Sequence, residues 1–184
     1  MTTNNSLLIY RINHRDEIVF VNDEWDSFAV ANAGEAVTSA QVLQRPIWSF
    51  ISDQTTRELY RQMLTRVRGG SSLQFSFRCD SPTCRRLLEM KVNHLEEGAV
   101  EFVTRTLWAE ERPAPALLEP GAARSDAWLR MCSWCEKVWS GEAWAEIEDA
   151  IADSRLFEQP LMPSMTHAIC ELCRHKMMDT LGKA

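Results

Sequence analysis

The sequence predicts an α+β fold, a five-stranded antiparallel sheet with helices on one face, followed by a small, mostly helical module rich in cysteine. Three observations carry that expectation. β-rich runs come as a pair near the N-terminus and as three consecutive runs after a helical segment. A proline-rich stretch then interrupts the chain, and beyond it two C-x2-C pairs stand with 34 residues between them.

The elements follow in order. "SLLIYRI" (6–12) and "EIVFVN" (17–22) flank the turn-prone "NHRD" and read as an antiparallel hairpin. Asn22 or Asp23 offers an N-cap for "EWDSFAVANAG", in which Trp25, Phe28 and Ala29 share a face and Gly34 marks a stop. "PIWSFIS" suits a brief helical turn begun by proline. Asp53 then opens "QTTRELYRQMLTRVRGG", whose Leu59, Met63, Leu64 and Val67 keep helical spacing up to a double glycine. After it the period changes to two in "SLQFSFRC" (72–79), less cleanly in "RRLLEMKVNHL" (85–95), and again in "GAVEFVTRTLW" (98–108). Strands joined by short turns, with helices gathered between the second and third, define an α+β domain.

Beyond the last strand, "RPAPALLEPGAARSD" holds three prolines and a glycine and cannot sustain a helix or a central strand. The chain therefore divides into a first domain over 6–110, a linker over 111–124 and a second module over 125–184. In the second module "SDAWLRM" looks helical, "GEAWAEIEDAIADSRLF" sets Trp144, Ile147, Ile151 and Leu156 along one side of a helix, and "THAICELCRHKMMDTL" reads as a helix capped by Thr166.

Composition excludes several classes. The chain of 184 residues has a net charge of -6, and 13 of its 20 basic and 15 of its 26 acidic residues fall through Arg112, leaving 7 and 11 beyond. Neither part is cationic, so the phosphate attraction behind nucleic-acid and anionic-membrane binding is missing. The N-terminus has no basic segment followed by a long apolar run, and no apolar run approaches the roughly 20 residues that span a bilayer. A cytoplasmic protein is expected. There is no glycine-rich phosphate loop, no H-E-x-x-H and no G-x-S-x-G, and catalysis is not expected.

In a reducing compartment, six cysteines point to metal rather than to disulfides. Cys132 with Cys135 and Cys170 with Cys173 can close a tetrahedral four-thiolate site around structural zinc. A module of about 60 residues gains on the order of 10 kcal/mol from binding such an ion. A catalytic zinc would need an open position for water, which four thiolates fill.

The element order resembles the PAS domain of bacterial signalling proteins over residues 6–108. The resemblance is carried by "IVFVNDEWDSFA", "PIWSFISDQTTRELYRQMLTRVRGG" and "FRCDSPTCRRLLEMKV". It implies a sensor that binds a small ligand between sheet and helices, or that acts by dimerising. The photosensor cysteine of flavin-binding members has no counterpart in segment 23–68, and His14 and His94 fall in a turn and at a strand end, so neither flavin nor haem is expected. Trp25, Phe28, Trp48, Phe50, Phe75 and Phe77 either line a pocket or fill the core. Cys79 and Cys84 flank a turn in which Pro82 takes the second position. They are either a reversible disulfide pair or two reduced side chains.

C-x2-C with a neighbouring tryptophan, a tryptophan-containing helix, and then H-x2-C-x2-C resembles a zinc-binding tail found after PAS and receiver domains. His167 belongs to that pattern as a replacement ligand, as a hydrogen-bond partner of a sulfur, or as a cap. The combined expectation is a noncatalytic sensor or adaptor that acts through a protein partner or a homodimer. The alternative is a thiol-based redox sensor using Cys79 and Cys84 or the zinc thiolates.

Overall fold

The computed structural model describes residues 6–32, 34–118, 123–153 and 161–183. The first strands, β1 (Leu7–Ile12) and β2 (Ile18–Val21), form the expected hairpin. Its turn is built by Asn13, whose side-chain oxygen accepts from the amides of Arg15 and Glu17 at 2.8 and 3.1 Å. Helix α1 (Glu24–Ala31) follows, but neither candidate cap makes a capping bond. Asn22 instead accepts from the Ile9 amide and donates to the Leu7 carbonyl, tying the helix entry to β1. Asp23 holds the N-cap position without a side-chain bond. The amide of Gly34 returns to the Ala29 carbonyl at 2.8 Å, and a Cβ there would crowd that oxygen at 3.0 Å, so the stop favours glycine.

A short helix, α2 (Ser39–Val42), has no counterpart in the sequence pattern. It is pinned from outside, because the Asp26 carboxylate accepts from both the amide and the hydroxyl of Ser39. A single 3-10 turn at Ile47–Ser49 matches the proline-led segment. Helix α3 (Gln54–Arg68) begins as expected at Asp53, whose carboxylate accepts from the Thr56 amide and hydroxyl at 2.8 and 2.6 Å. It buries Leu59, Met63, Leu64 and Val67.

Strands β3 (Leu73–Arg78), β4 (Cys84–His94) and β5 (Val100–Glu111) complete a sheet ordered β2-β1-β5-β4-β3, antiparallel throughout. The first and last strands of the chain segment are thus neighbours in the middle, and β2 and β3 are the edges. Alternation sends Ile12, Val92, Val100 and Phe102 inward to full burial against Met63 and Val67 of α3. Phe102 stacks on Tyr10, with centroids 4.3 Å apart and planes 5° from parallel.

Among the described residues, the C-terminal module holds as much strand as helix. β6 (Arg124–Cys132), β7 (Val138–Trp139), β8 (Trp144–Ala145) and β9 (Met162–Ala168) form a second sheet ordered β8-β7-β6-β9. "SDAWLRM" is therefore a strand rather than a helix, because β9 pairs with it in parallel from more than thirty residues away. Trp144 likewise belongs to β8, opposite Trp139. Ile147 and Ile151 are buried on α4 (Ile147–Asp153), whereas Leu156 lies outside the described residues. Thr166 does not cap the last helix, α5 (Glu171–Lys183), since it sits in β9. Between the modules, Leu117 is completely buried with Met131, Val138 and Ile147, so the proline-rich stretch is anchored to the tail. No helix among the described residues is long and apolar enough to cross a membrane.

Asp53→Ala is expected to lower unfolding stability by about 1 kcal/mol, and Asp53→Ser to restore most of the loss, as read from urea midpoints.

Candidate metal centre

β6 runs into the first cysteine pair. Past Cys132 the chain turns back through Ser133 and Trp134, and the Cys132 amide donates to the Lys137 carbonyl at 2.7 Å. Glu136, with φ of 57°, takes the left-handed conformation that lets β7 return. The second pair is delivered by β9 and α5, with Cys170 just before the helix and Cys173 in its first turn. Parallel pairing of β6 with β9 up to Cys132–Ala168 brings the two pairs to the same end of the sheet.

The four Sγ atoms all lie within 4.8 Å of one another, and Cys135 Sγ is 3.9 Å from Cys170 Sγ. Four thiolates around a tetrahedral ion at the usual zinc–sulfur distance of about 2.3 Å have sulfurs about 3.8 Å apart. Cys132, Cys170 and Cys173 are buried and Cys135 is half-buried. Backbone amides aim at the sulfurs, with Trp134 and Cys170 donating to Cys132 Sγ and Cys173 donating to Cys170 Sγ, each at 3.4 Å. Hydrogen bonds from the Cys135 and Cys173 thiols, reinforced by the Cys170 amide, hold Cys132 far below the usual thiol range. Donating to Cys132 in turn pushes Cys135 up to about 12 and Cys173 far above its ordinary value. Four thiolates this close would repel one another, and a divalent ion removes that repulsion and suits this donor set. His167 is exposed in β9, opposite Met131, and is not one of the clustered ligands.

The centre is seated on the first domain. Trp134, between the two cysteines of the knuckle, is 7% exposed, and its ring packs on Phe75 at 5.1 Å, Phe77 at 6.4 Å and Tyr60 at 6.5 Å. Its Nε1 donates to the Ser76 carbonyl at 3.2 Å, and its own carbonyl accepts from the Arg78 amide at 2.8 Å. The knuckle therefore pairs with the open edge of β3. Met177 and Leu181 of α5 join the same core.

A polar seam flanks this contact. Asp80, with its side chain 1% exposed, accepts from the Arg78 guanidinium and the Arg86 amide and lies 3.4 Å from Arg112. Its amide donates to the Glu136 carboxylate at 3.0 Å, and burial, then the Asp80 charge, push that carboxyl up to about 7. Arg85 and Arg112 both reach Glu148, and Arg78 lies 3.4 Å from Glu146.

The aromatic candidates separate. Trp25 and Phe50 line a cavity of about 230 Å³ with Tyr10, Tyr60, Val42 and Ile47. Trp48 instead donates to Asp16 and lies under Arg61, Phe28 lies under Arg86, and Phe75 and Phe77 pack on Trp134. Tyr10 and Tyr60 escaped the sequence reading, although Tyr10 holds an inward position of β1 and Tyr60 adjoins the apolar stripe of α3. Burial raises both phenols, Tyr60 to about 12. The register sets Cys79 against Arg86 and Cys84 against Ser81, and burial pushes the Cys79 thiol up to about 11, away from thiolate reactivity.

No protein-family model matches the chain, and no curated protein matches it. Solved structures similar to it include a sensory box sensor histidine kinase from Vibrio cholerae, at 17% identity, 55% of this chain and 82% of that one, with a TM-score of 0.39. A domain of a sensory box sensor histidine kinase/response regulator from Geobacter sulfurreducens gives 17%, 54%, 82% and 0.40. The RpfR quorum-sensing receptor PAS domain from Cronobacter turicensis, in complex with C12:0, gives 12%, 59%, 100% and 0.42. At these TM-scores the likeness decides nothing. The PAS-like class rests on the strand order β2-β1-β5-β4-β3 and on the helices inserted between β2 and β3.

Trp134→Ala should cost about 3–5 kcal/mol and speed amide exchange at Arg78, read by hydrogen exchange and limited proteolysis.

Proposed function

We propose that this chain is a noncatalytic signalling protein, a PAS-type sensor or adaptor whose C-terminal module is closed around one structural zinc ion. It passes its signal by contact with a protein partner or a second copy of itself. The grouping of the four Sγ atoms within 4.8 Å, on a knuckle whose tryptophan is seated in the sensor core, is the observation that carries the reading. Zinc suits four thiolates because it asks for tetrahedral geometry and has no redox state of its own. When bound, the ion supplies charge neutralisation and a four-way crosslink, and the filled sphere leaves no position for a reacting water. Cys132, Cys135, Cys170 and Cys173 would hold it, and the Trp134, Cys170 and Cys173 amides keep the sulfurs oriented.

Contact with a partner is supported at the sheet edge away from the tail. There Leu7, Val19 and Phe20 are 42%, 40% and 38% exposed on β1 and β2.

Elemental analysis of untagged protein purified without chelator should find close to one zinc per chain. Cys132→Ser and Cys173→Ser should each lose the metal and leave the tail protease-sensitive while the first domain stays folded. Full zinc content with unchanged protease resistance in either variant would rule the assignment out. Zinc that leaves under mild oxidant would favour the thiol-based redox sensor over the adaptor.

A further inference from the structure

We infer that a groove beneath α1 is a second binding site, one that takes a small molecule carrying a carboxylate. It goes beyond the sensor reading and does not depend on the metal centre. The inner face of the sheet changes character along its strands. β1 presents Ile12, Tyr10 and Leu8 and then Ser6, and β5 presents Val100 and Phe102 and then Thr104 and Thr106. β4 presents Val92, Met90 and Leu88 and then Arg86. α1 lies over the polar end and encloses a groove of about 300 Å³. That is the low end of the range for small-molecule sites, about 300–1,000 Å³. It shares no lining residue with the apolar cavity at Tyr10 and Tyr60.

One side chain in this groove lacks the partner its chemistry calls for. Arg86 occupies an inward position on β4, half-buried, with its guanidinium 5.7 Å from the Phe28 ring centroid. Among the described residues it makes no ion pair and its side chain no hydrogen bond. Its neighbours Arg78, Arg85 and Arg112 each hold carboxylates, and Asp80 spends an oxygen on the Arg86 amide rather than on its guanidinium. A guanidinium against an aromatic face keeps its N–H edge available for a planar, bidentate anion, and carboxylate is the small anion that matches it.

Glu24 lines the same groove and opposes a ligand with a second carboxylate.

The test is a titration of the isotope-labelled full-length chain, followed by NMR, with hippurate as the probe. A matched control isolates the carboxylate: hippuramide, which lacks it. Hippurate should bind about tenfold more tightly than hippuramide, shifting the amides of Asn32, Thr104 and Thr106. Arg86→Gln should abolish the preference for hippurate over hippuramide, and Arg86→Lys should keep part of it. The site is overturned if hippurate and hippuramide bind alike in the natural protein. It is equally overturned if the shifts fall on the Tyr10 and Tyr60 cavity, or if about 20 mM hippurate shifts nothing.

Discussion

Trp134 is the contact on which the arrangement of this molecule depends. A β-sheet edge exposes amides and carbonyls that must find partners, and β3 meets that need with the knuckle's own backbone and indole. The same residue places an aromatic ring among Phe75, Phe77 and Tyr60. Because Trp134 lies between two of the four clustered cysteines, the conformation that groups the thiols and the one that closes the sheet edge are one conformation. The cysteine cluster and the core of the first domain are therefore a single packed unit, and Tyr60, which touches Trp134, also lines the apolar cavity.

The polar seam beside it makes that docking specific. Apolar packing alone tolerates sliding, whereas a carboxylate as buried as Asp80 accepts one position for Arg78, Arg112 and the Arg86 amide. Removing one partner would leave a charge buried without compensation, which is costly in a low-dielectric setting. Glu136 connects the seam to the knuckle through the Asp80 amide. The turn between β3 and β4 thus serves as a socket for the tail.

Much of this was legible in the chain. Asp53 as a cap, the apolar stripe of α3 and the alternation in β3 and β5 are local signals that the backbone obeys wherever the segment sits. The two C-x2-C pairs gave the candidate ligands by spacing alone. The pocket was half legible, because Trp25 and Phe50 reach it while Phe75 and Phe77 turn to Trp134. Aromatic composition reports how much ring there is to bury and says nothing about which neighbour buries it. "SDAWLRM" was misread for a related reason, since its strand partner β9 is supplied by a distant segment and local preference there is weak.

By itself, then, the sequence determined the order of strands and of the long helix in the first domain, the Asp53 cap, and the identity of the four clustered thiols. Only the tertiary structure decided that the tail carries a second sheet, that its knuckle fills the edge of β3, and that Arg86 enters a groove with no carboxylate on it among the described residues. The physical reason is range. Periodicity and capping act between residues a few positions apart, whereas edge pairing, buried ion pairs and cavities join segments brought together only when the chain has folded.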